Sequence, residues 1–135
     1  MPAAEDYLEM AAHHVNYRSF AFALLLLVGE CPPERLLDRL DEALREGGIA
    51  VRLSNDLRTV EKDRQEGSLN ILALRTRAGV PVTEWDVEQW IEQHVSRHRQ
   101  LLLGLSHSNV GLSLDALTNC LNTSVGIYRV TDLKC

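Results

Sequence analysis

Apolar positions recur along this chain three and four residues apart, and no stretch alternates residue by residue as a half-buried strand does. The pattern predicts an all-α fold. A first helix is expected from Tyr7 to Gly29, densely apolar after Phe20 and stopped by Gly29, Cys31, Pro32 and Pro33. A second begins near Glu34, where Pro33 suits the opening turn. It carries Leu36, Leu37, Leu40, Ala43 and Leu44, then Ile49, Leu53, Leu57 and Val60. Gly47 and Gly48 interrupt that run at about 1 kcal/mol each relative to Ala. Such a pair marks either a bend or a place where something packs closely on the backbone. Leu69 to Arg77 reads as a short apolar helix ended by Gly79 and Pro81. Thr83 with Asp86 makes a variant capping box, opening a long helix from Glu84 to about Leu105 with Trp85, Trp90, Ile91 and Val95 on its buried face. After a loop at Ser108, Asn109 and Gly111, Ser113 caps a last helix through Leu114, Leu117, Leu121 and Val125. Five helices joined by short loops form one helical unit over residues 1–135.

Composition narrows the function. Apolar residues at 45% and charged ones at 24% describe an ordinary globular domain. A formal charge of −5, with no basic run, argues against a general nucleic-acid binder. Cys31, Cys120 and Cys135 are odd in number, widely spaced and without a CxxC pattern, so a reduced, cytoplasmic setting is expected. Met1 to Asp6 has no basic stretch before an apolar run, so no secretory signal is expected. Leu24 to Val28 is the most apolar run and is far too short for a membrane span.

The chemistry concentrates after the glycine pair, where Asn55, Thr59 and Asp63 stand four residues apart. On a helix each such step turns about 400°, so the three drift only about 40° per step and rise about 6 Å. A short Thr between longer Asn and Asp side chains lets three oxygens converge. Amide carbonyl, hydroxyl and carboxylate are hard ligands that suit Mg²⁺ at about 2.1 Å. They bring one negative charge, so the ion keeps most of its own for a phosphate.

This stretch resembles the second metal-binding motif of class I terpene synthases, where Asn, Ser or Thr, and Glu or Asp recur at that spacing. Asp56 and Leu57 follow the Asn as is usual there, Lys62 precedes the acidic ligand, and Glu66, Gly67 and Asn70 continue in the family's manner. The resemblance implies a helical bundle corresponding to the C-terminal part of the class I terpenoid synthase fold. It implies Mg²⁺ as cofactor, a prenyl diphosphate as substrate, and ionisation followed by carbocation cyclisation. Lys62 and Arg58 become diphosphate partners near the metal. Arg129 and Tyr128 are similar to the Arg and Tyr that close the family's pocket over the diphosphate, in reversed order. Tyr17, Ser19 and Phe20, with Phe22 beside them, fall on the helix that lines the cyclisation pocket, where aromatic faces stabilise cations.

Two family features are missing. No DDxx(D/E) string occurs, and Glu9, Met10 and Ala11 stand where a diphosphate-sensing Arg would fall. The resemblance therefore implies a component that needs a second polypeptide carrying the aspartate-rich half, or self-association. A non-catalytic binding or assembly module derived from a terpene synthase is the alternative, and an unrelated bundle with a coincidental stripe is a third. Elsewhere, His94 and His98 form an i,i+4 pair expected on a solvated face, since no third ligand accompanies them. His13 and His14 are adjacent and point apart, and Cys120 reads as a small core residue.

Overall fold

The computed structural model describes residues 1–14, 16–27, 29, 32–106 and 114–129. Within them lie five α-helices: α1 (Ala4–His14), α2 (Tyr17–Leu27), α3 (Glu34–Glu66), α4 (Glu84–Ser106) and α5 (Leu114–Arg129). The fold is all-α. Among the described residues the extended pairing is a single antiparallel bridge, Arg75 to Pro81, in the connection from α3 to α4. Ser113, expected as a cap, lies outside the described residues.

α3 is the axis of the molecule, and α1, α2, α4 and α5 all pack on it. Leu36, Leu40, Ala43, Leu44, Ala50 and Leu53 supply its buried stripe. α4 answers with Val87, Ile91, Val95, His98, Leu102 and Leu105, spaced by three or four residues into a narrow seam. α5 adds Leu117, Leu121 and Val125. Trp85, expected on the buried face, precedes this seam and is 66% exposed, while Trp90 is half-buried.

The helix expected from Tyr7 to Gly29 is two helices. α1 ends at His14, Asn16 lies in a turn, and α2 restarts at Tyr17, with the Phe20 N–H donating to the Asn16 carbonyl. Geometry explains the break. α1 buries Ala4, Tyr7 and Ala11, and α2 buries Tyr17, Ala21 and Leu25. A single straight helix would carry Tyr17 about 120° around the axis from Ala11, off the face that meets α3.

The helix expected at Leu69 to Arg77 shrinks to one 3-10 turn, Ile71–Ala73. The backbone of this stretch is engaged elsewhere: Ile71 N–H goes to the Asp56 carboxylate, Val82 N–H to Leu74, and the Arg75 carbonyl accepts from Ala4 N–H. Arg77 secures the same loop to α1 through Glu5 and Asp6.

Gly47 and Gly48 do not break α3, which runs continuously past both. They serve close packing. A Cβ on Gly47 would lie 2.6 Å from Tyr17 Cε1 and 3.1 Å from His98 Nδ1. His98, expected on a solvated face, is instead fully buried at this crossing, because position 98 falls on the α4 seam between Val95 and Leu102. Its Nδ1 lies 2.6 Å from the Ala43 carbonyl, and its ring meets Tyr17 edge-on at 6.2 Å. His94, also expected in solvent, is mostly covered and pairs with Glu46 at 2.6 Å.

Candidate functional site

Asn55, Thr59 and Asp63 share one stripe near the C-terminal end of α3, and all three are half-buried. Thr59 Oγ1 lies 2.6 Å from Asp63 Oδ2 and 3.0 Å from the backbone carbonyl of Asn55. Asn70 reaches the same Asp63 oxygen from outside the helix, Nδ2 donating at 2.7 Å. The Thr59 hydrogen bond holds the Asp63 carboxyl below its ordinary range; Asn70, Arg52 and Lys62 reinforce it against slight burial. Asp63 is therefore a carboxylate at neutral pH.

That stripe rests on a buried anchor. Asp56 follows Asn55 in sequence but points into the protein, fully buried. Its Oδ2 accepts from the Tyr7 hydroxyl at 2.5 Å and from Ile71 N–H at 3.1 Å. Its Oδ1 faces Arg52 Nε at 2.8 Å as an ion pair, while the Nε hydrogen itself is aimed at the Tyr7 oxygen, 2.7 Å away. Burial pushes the Asp56 carboxyl up, and Tyr7, Arg52 and the Ile71 amide oppose that shift. Those three contacts favour the charged form, while the neighbouring Asp63 carboxylate adds to the upward push of burial. Burial, then the adjacent Asp56, pushes the Tyr7 phenol up, so it stays a donor. Arg52 also donates to the Leu69 carbonyl at 3.2 Å.

Gly67 makes the return of the chain possible. It ends α3 at φ 68°, a left-handed conformation favourable for glycine, and Ser68 N–H caps the Asp63 carbonyl at 2.8 Å. The chain then doubles back, and Asn70 grips both the Asp56 carbonyl and the Asp63 carboxylate. A cleft of about 270 Å³ opens beside this network, lined by Tyr7, Met10, Ala11, Arg52, Ser68 and Leu69.

The donor set fits a hard divalent cation. Among the described residues no three His, Cys, Asp or Glu side chains gather to hold a metal, so any ion here depends on amide and hydroxyl oxygens beside one carboxylate. The Thr59 proton can serve the Asn55 carbonyl, which leaves the hydroxyl lone pairs available. Asp63 Oδ1 is engaged by no described residue.

The other expected site residues scatter. Arg58 is exposed, and Lys62 is exposed and 4.0 Å from Glu66. Tyr17 lies in the core with its hydroxyl 3.4 Å from the Leu117 carbonyl, whereas Phe20 is 58% exposed. Ser19 lines a separate cleft of about 400 Å³ with Arg18 and Phe22. Tyr128 and Arg129 close α5, but their side chains lie outside the described residues. Sequence reasoning missed Arg52 and Tyr7 altogether. The Arg52–Asp56 pair was legible as an i,i+4 ion pair; Tyr7, far away in sequence, carried no signal.

Residues 1–98 match the family described as terpene synthase family 2, C-terminal metal binding. An ent-kaurene synthase-like 3 protein of Oryza sativa subsp. japonica is 31% identical over 78% of this chain and 15% of its own length. An ent-cassa-12,15-diene synthase of the same plant is 28% identical, over 78% of this chain and 14% of its own. An isopimaradiene synthase of Isodon rubescens is 26% identical over 97% of this chain and 18% of its own. The chain thus spans less than a fifth of each of these relatives. No solved structure matches it. No described helix is long and apolar enough to cross a membrane.

Proposed function

The chain belongs to the terpene synthase family 2, C-terminal metal-binding family, and from that premise we propose that it is one component of a Mg²⁺-dependent terpene cyclase acting on a prenyl diphosphate. The observation that carries this reading is the stripe of Asn55, Thr59 and Asp63 on α3, with Thr59 Oγ1 2.6 Å from an ionised Asp63 and Arg52 on the turn before Asn55. Asn55, Thr59 and Asp63 would hold the metal. Magnesium bound there would supply positive charge against the diphosphate oxygens. Arg52, Arg58 and Lys62 add fixed positive charge on the same helix, and Arg129 and Tyr128 are assigned to the diphosphate by resemblance. The site is cytoplasmic on this reading.

One carboxylate is too little charge to assemble the metal cluster that ionisation needs. The chain carries no DDxx(D/E) string and leaves Phe20, Leu26 and Leu27 exposed on α2. These support a requirement for a second polypeptide carrying the aspartate-rich half, or for self-association. The exposed α2 face equally supports the second reading, an assembly module derived from a terpene synthase, which would bind a partner without binding metal and diphosphate.

The test is incubation with geranyl, farnesyl and geranylgeranyl diphosphates plus Mg²⁺, alone and with an aspartate-rich helical half. We expect little product alone and product from the pair, abolished by Asn55→Ala or Asp63→Ala. Robust cyclisation by the single chain would overturn the need for a partner. Absence of product in every combination, with no Mg²⁺–pyrophosphate binding, would overturn the cyclase reading.

A further inference from the structure

We infer that Asn70 is a positioning residue that fixes the Asp63 carboxylate for a cation, so that the loop after α3 sets the affinity of the site; this rests on the reading of Asn55, Thr59 and Asp63 as ligands. Asp63 sits on the last full turn of a helix whose neighbours 61, 62 and 64–68 are exposed, where a carboxylate is free to change rotamer. Two donors restrain it, and they are not equivalent. The Thr59 hydroxyl has one proton to divide between the Asn55 carbonyl and Asp63 Oδ2, so its hold can be surrendered. The Asn70 amide has two protons and two acceptors, the Asp56 carbonyl at 2.8 Å and Asp63 Oδ2 at 2.7 Å. Its Oδ1 takes Leu72 N–H at 3.1 Å. Every hydrogen of that side-chain amide is therefore used, and Asn70 is only 3% exposed.

Both donors land on Oδ2, which leaves Oδ1 for the cation. Because Asn70 also holds the backbone of Asp56, the carboxylate is tied to the buried anchor rather than to its own helix end. Hydrogen-bond partners that orient a ligating carboxylate are typically worth about 10- to 100-fold in metal affinity.

Titration calorimetry with Mg²⁺ in the presence of pyrophosphate, well below the melting temperature, tests this on the whole chain. Asn70→Ser keeps a short acceptor for the 3-10 turn but cannot reach Asp63. We expect it to weaken binding about 10- to 100-fold while keeping most of the stability that Asn70→Ala loses. Wild-type affinity in Asn70→Ser would overturn the inference. Asp63→Asn separates the two readings: if it also binds as wild type, the ligand assignment has failed, and if it alone loses binding, only the role of Asn70 has. Absence of binding by the unaltered chain overturns both. Should Asn70→Ser not fold, the side-chain amide resonance of Asn70 in the wild type decides. It should shift when Mg²⁺ and pyrophosphate bind and stay fixed in Asp63→Asn, and a resonance static in the wild type refutes the proposal.

Discussion

The two ends of α3 are one helix held by two kinds of force. From Leu36 to Leu53 it is buried by apolar contact, and Gly47 lets Tyr17 and His98 approach its backbone. From residue 55 to residue 66 the one fully buried residue is Asp56, and the contacts are hydrogen bonds and ion pairs drawn from α1 and the following loop. On the reading of Asn55, Thr59 and Asp63 as ligands, the difference follows from what each end must do: side chains that offer oxygens to a ligand cannot be covered by apolar neighbours, so that end takes its order from a polar anchor beneath it. The packed end can be specified by shape alone.

The comparison breaks most violently at Asp56. Replacing it by Ala strips the partner from a partly buried guanidinium and from the Tyr7 hydroxyl, and frees Ile71 N–H. Loss of one member of a buried pair costs about 3 to 5 kcal/mol, so Asp56→Ala should lower the denaturant midpoint severely. Tyr7→Phe removes two hydrogen bonds, the one given to Asp56 and the one taken from Arg52, but leaves the ion pair in place, and should cost less, about 1 to 3 kcal/mol. A loss under about 1 kcal/mol for Asp56→Ala would mean that the polar end is not anchored as described.

At the packed end the equivalent test is steric. Gly47→Ala sets a methyl 2.6 Å from the ring of a buried Tyr17, which has α4 and α5 behind it and no room to retreat. Overpacking of this kind costs about 1 to 3 kcal/mol, against a helix-propensity gain near 1 kcal/mol. Gly48→Ala meets only the Ala12 carbonyl at 3.6 Å, an ordinary contact, and should be neutral or stabilising. Thermal melts of the two variants should move apart, and equal shifts would remove Gly47 from its role at the crossing.

How much of this was legible depends on which force is at work. Periodicity alone placed α3, α4 and α5, because burial repeats at the helical interval, and the Thr83–Asp86 cap was readable from three residues of local sequence: Asp86 N–H donates to Thr83 Oγ1 at 3.2 Å and Thr83 N–H to the Asp86 carboxylate at 2.9 Å. The stripe of Asn55, Thr59 and Asp63 was readable for the same reason. The break before Tyr17 was not, since it is set by where α3 lies. Neither was the anchor: the Tyr7 bond to Asp56 joins residues 49 apart, and no local pattern marks it. His98 shows the converse failure. Its spacing from Val95 and Leu102 placed it on the buried seam, but as one of an i,i+4 pair with no third ligand it was expected in solvent, and the seam prevailed.

The smallest expected effect is a dependence on pH at the packed end. Burial pushes the His98 imidazole below its ordinary value, with Arg99 adding to that shift and the Ala43 carbonyl and Glu46 opposing it. With Nδ1–H given to Ala43, Nε2 is buried with no partner among the described residues. Glu46, whose charge bears on this ring, is already engaged by His94, and Tyr17 presents only its ring. The folded form is therefore neutral while the unfolded chain takes up a proton near pH 6.5. The unfolded state then binds more protons as pH falls, so stability is complete above about pH 7 and declines through the ordinary histidine range. Thermal melts between about pH 7.5 and 5 should show the wild type losing a few degrees, and His98→Leu should flatten the curve while leaving every other histidine in place. If the slope survives in His98→Leu, the acid sensitivity belongs to another group, and the packed end of α3 is held by shape without any contribution from the protonation state of the His98 imidazole that α4 sets against it.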